Sequence, residues 1–163
     1  MAHPQPLKVL TIAGSDSGGA AGLQADLKTF TALGVYGMSA VTAVTAQNSV
    51  RVAALQSMPA ALVTAQIEAV LQDYGAAAVK TGFLGSALLV EAVAAALHPA
   101  ERQALPLVID PVLVNHRGEP MFGEVVTEAY RRLLLPGCTM VTPNRREAAM
   151  LCGQTVETWT QAV

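Results

Sequence analysis

Five short runs of small and β-branched apolar residues alternate along this chain with five segments of helical period. The runs are 7–13 (LKVLTIA), 38–47 (MSAVTAVTAQ), 76–82 (AAAVKTG), 105–112 (LPLVIDPV) and 138–143 (CTMVTP). Near-continuous apolar runs are what strands buried on both faces require. The helical segments are 21–33, 58–75, 86–99, 123–137 and 144–153. In the first, Leu23, Leu27 and Phe30 recur at i, i+4 and i+7, and Gly34 closes it. In the second, Pro59 stands near the first turn and Gly75 at the end. Ser86 opens the third, which stops before Pro99. Such alternation predicts an α/β fold: an open, mostly parallel sheet with helices on both faces. The 163 residues suit one domain, 1–163, and 52% hydrophobic residues supply its core; with 4% aromatics, that core is built from Ala, Val and Leu. The final stretch, VETWTQAV, reads as the start of another helix, so the chain is expected to be the amino-terminal portion of something longer.

Several function classes drop out on composition. The formal net charge is −2 and no basic run occurs, which argues against a nucleic-acid partner. The apolar stretch 86–98 is interrupted by Glu91 and is too short to span a bilayer, so no membrane partner is expected. The opening MAHPQPLKVL lacks a signal-peptide pattern, and two cysteines make no disulfide framework; both point to the cytoplasm. Cys138 and Cys152 read as buried small residues. There is no G-x-S-x-G, and His3, His98 and His116 have no zinc spacing.

Ligands of open parallel sheets bind beyond the carboxyl ends of the strands. Those ends here read GSDSGG, TAQN, KTGFLG, DPVLVNHRG and TPNRRE. GSDSGGAAG (14–22) matches neither G-x-x-x-x-G-K-[ST] nor G-x-G-x-x-G, so it is no nucleotide phosphate loop of those types, and a dinucleotide-dependent oxidoreductase is disfavoured. It fits a tight strand-to-helix turn, with Ser17 or a neighbour capping the helix. On a helical wheel with Leu23 at zero, Phe30 falls near about −20° and Asp26 near about −60°. Asp26 thus borders the apolar stripe, where a carboxylate is either hydrogen-bonded beside a cleft or half-exposed. Lys28, near about 140°, is expected in solvent. Gln47 and Asn48 suit either a polar turn or the edge of a heterocycle. Lys80 is placed for an ion pair or a phosphate. Asp110 is either a turn aspartate or a group near a metal or phosphoryl oxygen. Asn144 and Glu147 have capping-box spacing and equally suit the surroundings of Mg²⁺.

Taken together, LTIAGSDSGGAAGLQADLKTFTALGVYGMSAVTAVTAQNSV, VKTGFLGS, LVIDPVLV and MVTPNRREAAMLCG resemble the hydroxymethylpyrimidine/phosphomethylpyrimidine kinases of thiamine biosynthesis, members of the ribokinase-like superfamily. The resemblance covers nearly the whole chain, and the later segments are shared with pyridoxal-type kinases. It implies a ribokinase-like three-layer fold, a homodimer, and ATP- and Mg²⁺-dependent phosphorylation of a pyrimidine alcohol and then of its monophosphate. Carried over by position, Gly14, Asp26, Thr45 and Gln47 line the pyrimidine site, with Phe83 in its wall. Asp110, Asn144 and Glu147 lie towards Mg²⁺ and phosphate. The family usually has Met where Phe83 stands, and AKSG where this chain reads NHRG at 115–118. Its glycine-rich anion hole, of the Gly-Thr-Gly-Cys type, is expected beyond Val163, so no catalytic residue is assigned within the chain. Two alternatives follow: a pyrimidine-binding module without turnover, or a pyridoxine/pyridoxal-type kinase.

Overall fold

The computed structural model describes residues 5–98, 105–158 and 161. The central sheet has six strands in the order β3-β2-β1-β4-β5-β6. They are β1 (Lys8–Ser15), β2 (Tyr36–Gln47), β3 (Val52–Ser57), β4 (Ala78–Thr81), β5 (Leu107–Ile109) and β6 (Met140–Val141). All neighbours run parallel except β2 and β3. Among the described residues, α-helices join and follow them: α1 (Gly22–Ala32), α2 (Ala60–Asp73), α3 (Ala87–Leu97), α4 (Glu124–Ala129) and α5 (Arg145–Cys152). This is the expected mostly parallel α/β fold. No helix among the described residues is long and apolar enough to cross a membrane.

The core lies on one side of the sheet. Leu10, Ile12, Met38, Ala40, Val79, Leu107 and Ile109 pack with Val63, Ile67, Val90, Val93 and Leu134 of the helical layer formed by α2, α3 and the α4 segment. Side chains alternate across a strand. The intervening residues Thr11 and Lys80 therefore face the other side, where α1 lies, and both reach Asp26 of α1. The alternation of β1 thus places Thr11 on the side of the sheet that carries Asp26.

The parallel β1–β2 ladder contains a bulge. Ala13 pairs with Val41 and Gly14 with Ala43, leaving Thr42 extra. Both Thr42 and Ala43 are fully buried. Thr42 Oγ1 donates to the Phe83 carbonyl at 2.6 Å, so the extra residue ties β2 to the loop after β4.

Three expectations need correction. The strand β3 is additional to the five read from the sequence. It follows an Asx turn in which Asn48 Oδ1 accepts from Val50 and Arg51 amides, and every residue of β3 is exposed, so it carries no buried period. The fourth and fifth predicted strands shrink to three and two residues. Pro106 and Pro111 flank β5 and donate nothing to a ladder. The helix predicted over 123–137 is instead α4, a π turn at Tyr130–Leu134 and a 3₁₀ turn at Leu135–Gly137. Arg131 in the π turn donates to the Leu151 and Met150 carbonyls, capping the end of α5, and pairs with Glu124 at 2.6 Å and Glu128 at 3.1 Å. Pro99 and residues 159, 160, 162 and 163 of the helix predicted from VETWTQAV lie outside the described residues.

Candidate functional site

The turn after β1 is organised by a buried carboxylate. Asp16 accepts hydrogen bonds from the backbone N–H groups of Gly18, Ala20 and Ala21 at 2.8, 3.0 and 2.9 Å. Burial alone would raise its carboxyl, but the amides of Ala21, Gly18, Ala20 and Gly19 outweigh this and hold it below 3.8. Asp16, not Ser17, satisfies the amides that lead into α1, and the N-cap residue Ala21 has no side-chain cap. Gln24 reaches back, accepting from Asp16 N at 2.8 Å and donating to Ser15 Oγ at 2.7 Å. Gly22 has φ +57°, and a Cβ there would sit on the Gly14 carbonyl oxygen, so only glycine fits. Lys28 is tied to this turn through the Gly19 carbonyl at 2.6 Å, rather than simply solvated as its wheel position implied.

Asp26, on the other side of the turn, is hydrogen-bonded rather than a loose surface acid. Its Oδ2 accepts from Thr11 Oγ1 at 2.6 Å and from Lys80 Nζ at 3.0 Å. Lys80 also lies 3.8 Å from Asp110 Oδ2, so one ammonium bridges two carboxylates. The Asp26 and Lys80 side chains are 17% and 22% exposed, while that of Asp110 is 39% exposed. Burial raises the Asp110 carboxyl above 3.8. Lys80 opposes this, Glu147 and Asp26 reinforce it, and the Val112 amide opposes it.

The turn that carries Asp110 is strained. Val112 has φ +38°, in the left-handed region that a β-branched residue rarely enters. Its amide goes to Asp110, and the next amide, Leu113 N, goes to Glu147 Oε1 at 2.9 Å. Consecutive amides thus serve two carboxylates. Glu147 is buried, and its Oε2 accepts from Asn144 N at 3.0 Å, while Asn144 Oδ1 accepts from the Arg146 and Glu147 amides. The expected capping box is present, and the same carboxylate also anchors the Asp110 turn. Among the described residues the buried Tyr130 hydroxyl has no hydrogen-bond partner; burial first, then Asp110 and Glu147, push its ionisation upward.

Thr45 and Gln47 stand at the end of β2. Thr45 Oγ1 donates to the Ser15 carbonyl at 2.9 Å and lies 3.4 Å from Gln47 Oε1. A hydroxyl has one proton, and the shorter contact takes it, so the Gln47 amide is not locked in one orientation. Phe83 covers Gly14: a Cβ on Gly14 would meet its ring at 3.2 Å. Its ring also packs on Phe122, with centroids 5.8 Å apart.

Two groups result. Thr11, Asp26, Lys80 and Asp110 are linked by hydrogen bonds and ion pairs, and the consecutive amides of Val112 and Leu113 connect Asp110 to Glu147, which Asn144 caps at the start of α5. Gly14, Thr45, Gln47 and Phe83 gather at the ends of β1 and β2. Among the described residues no hydrogen bond joins Gln47 directly to Asp26; the 14–22 turn connects them. No three His, Cys, Asp or Glu residues converge as a metal cluster among the described residues. Cys152 is exposed and Cys138 half-buried, contrary to the expectation that both are buried. His116 and Arg117 are exposed in the 115–118 turn, where the Arg117 carbonyl accepts from Arg146 Nη1 at 2.7 Å. Sequence reading passed over Thr11, Asp16 and the strain at Val112. A hydroxyl inside an apolar strand and an acid inside a glycine turn were the available signals for the first two; nothing in the sequence announces the third.

A family profile described as phosphomethylpyrimidine kinase matches residues 16–163. The hydroxymethylpyrimidine/phosphomethylpyrimidine kinase of Streptomyces coelicolor is 50% identical over 152 residues, covering 93% of this chain and 55% of that protein. The Haemophilus influenzae protein of the same name is 47% identical over 146 residues, covering 90% and 54%. The chain therefore spans about half the length of the curated relatives it matches. A 2.06 Å crystal structure of phosphomethylpyrimidine kinase from Clostridium difficile superposes with a TM-score of 0.88 at 38% identity, covering 96% of this chain and 67% of that one. Pyridoxal kinase from Staphylococcus aureus in complex with AMP-PCP superposes at 0.85 and 36% identity, covering 97% and 56%. With a profile match over most of its length, the chain belongs to the phosphomethylpyrimidine kinase family.

Proposed function

We propose that this chain forms the acceptor side of an ATP-dependent kinase for 4-amino-5-hydroxymethyl-2-methylpyrimidine and its monophosphate, in thiamine biosynthesis. The observation that carries this is the Asp26–Lys80–Asp110 chain, which runs from the mouth of the glycine turn to the Glu147 helix. It lies between an uncharged pocket edge, formed by Gly14, Thr45, Gln47 and Phe83, and an acidic edge formed by Asp110 and Glu147. Phosphoryl transfer needs such a division, with an oriented alcohol on one side and charge neutralisation on the other. Gln47 would pair with the ring edge, because an amide both donates and accepts.

ATP is supported by the AMP-PCP-bound neighbour. The acidic edge fits Mg²⁺ held mainly through water: Asp110 is accessible, while both Glu147 oxygens already hold backbone amides. When bound, the ion neutralises phosphate charge; Asp110 and Glu147 would orient its waters, and Asn144 keeps Glu147 in place. A single domain and a homodimer complete the proposal; the exposed Val44, Val52 and Leu55 at the β2–β3 edge support the latter.

Isothermal titration with hydroxymethylpyrimidine tests the acceptor site. Binding is expected, with Gln47→Leu weakening it about tenfold or more, the loss of a buried polar pair. Absence of binding by the parent chain refutes the pocket. The pyridoxal kinase neighbours favour one second reading, a pyridoxal-type kinase. Tighter binding of pyridoxal than of the pyrimidine would select it.

A further inference from the structure

The backbone ladder between β1 and β2 ends at the Ser15–Val44 pair, yet β2 continues to Gln47. Two hydroxyls carry the pairing on. Thr45 Oγ1 donates to the Ser15 carbonyl at 2.9 Å. Two residues later, Ser17 Oγ donates to the Gln47 carbonyl at 2.7 Å and accepts from the Gln47 amide, also at 2.7 Å. Ser17 thus gives Gln47 both of the bonds that a neighbouring strand would give. The tie falls where it is needed, because the β2–β3 register slips between Ala46 and Gln47. The turn packs directly on the end of β2: a Cβ on residue 18 would be 3.5 Å from the Gln47 carbonyl oxygen, an ordinary contact distance. Asp16, saturated by amides of the same turn, holds Ser17 in place.

We infer that Ser17 is a positioning residue for the acceptor site: its hydroxyl fixes the backbone of Gln47 and so aims the Gln47 amide at the ring edge of a heterocyclic alcohol. This rests on the acceptor-pocket reading above, but part of it is testable without any ligand. The sequence offers Ser17 as a helix cap; the structure gives it this different task.

The experiment compares Ser17→Ala and Ser17→Thr with the parent chain by amide hydrogen exchange and by titration with hydroxymethylpyrimidine. Exchange at the Gln47 amide is expected to speed up about tenfold in Ser17→Ala, the loss of one net hydrogen bond, and to return towards the parent value in Ser17→Thr. Unchanged exchange in Ser17→Ala overturns the inference, whether or not the pyrimidine binds. The titration arm expects Ser17→Ala to weaken binding about tenfold and Ser17→Thr to restore it. In a Gln47→Leu background, Ser17→Ala should then have no further effect, since its influence runs through Gln47. An equal loss in both backgrounds overturns the positioning role. Failure of the parent chain to bind, with the exchange result intact, removes the pyrimidine reading and leaves the tie between Ser17 and Gln47 standing.

Discussion

Asp16 and Asp110 stand at the carboxyl ends of neighbouring regions of one sheet, yet they are treated in opposite ways. Asp16 is nearly inaccessible and accepts from at least three backbone amides, so its charged form is favoured and its carboxyl is held low. Asp110 is more open, has the Val112 amide and a lysine shared with Asp26, and faces the charge of Glu147; its carboxyl is raised. A carboxylate saturated by amides is a fastener. A carboxylate left short of donors keeps free lone pairs, and that is what a group meeting a hydrated cation or a phosphoryl group needs. The difference separates the part of the site that sets shape from the part that would meet charge.

The sharpest way to break the first half of this comparison is Gly22→Ala. A methyl group at φ +57° against the Gly14 carbonyl should cost about 3 kcal/mol or more and lower the melting temperature by roughly 10 °C, followed by circular dichroism. Lys80→Met comes next. It leaves Asp26 and Asp110 without their shared cation in a partly buried setting, and a loss of about 2 kcal/mol is expected in urea unfolding. Asp16→Ala should cost about 1–2 kcal/mol, as for loss of a helix cap. Asp110→Asn is the smallest in stability, within about 0.5 kcal/mol of the parent or slightly more stable at neutral pH, since a charge crowded by burial, Glu147 and Asp26 is relieved. A loss of more than about 2 kcal/mol there would mean that Asp110 is also a fastener.

The two aspartates also predict opposite pH signatures. Because the Asp16 carboxyl is lowered on folding, its contribution is present above about 3.8 and is lost as pH falls through its lower folded value. The gap between the parent and Asp16→Ala should therefore close on acidification. Because the Asp110 carboxyl is raised, the folded state holds the proton more tightly, and the parent gains stability relative to Asp110→Asn as pH falls through the raised value towards 3.8. Melting curves from pH 7 to pH 3 read both trends, and slopes of the same sign for the two variants would contradict the assignment.

The parallel sheet and the helices were legible in the sequence, because buried strands and amphipathic helices write their periods into residue type; the candidate site residues were named from their places at the strands' carboxyl ends and from the family resemblance, not from any period. The Asn144–Glu147 cap was legible because a fixed spacing serves a fixed geometry. What was not legible depends on contacts between distant segments. No local pattern says that Glu147 also anchors Leu113, that Lys80 spans Asp26 and Asp110, or that Ser17 leaves its own helix to bind Gln47. The strand β3 was missed because none of its residues is buried, and the broken helix at Tyr130 because its apolar period continues through the π turn.

The extra residue Thr42 in β2 has a consequence for how such a pocket can change. Side chains alternate along a strand, so one additional residue exchanges the faces of everything that follows it. With the bulge, Thr45 and Gln47 share the side of Met38 and Ala40; without it they would turn to the side of Ser39 and Val41. The Thr45–Gln47 edge is therefore written as a phase offset of the chain as well as in the identity of its residues. A single-codon deletion near position 42 would preserve composition, strand propensity and fold class while turning this edge inside out, whereas many substitutions there would leave it facing the same way.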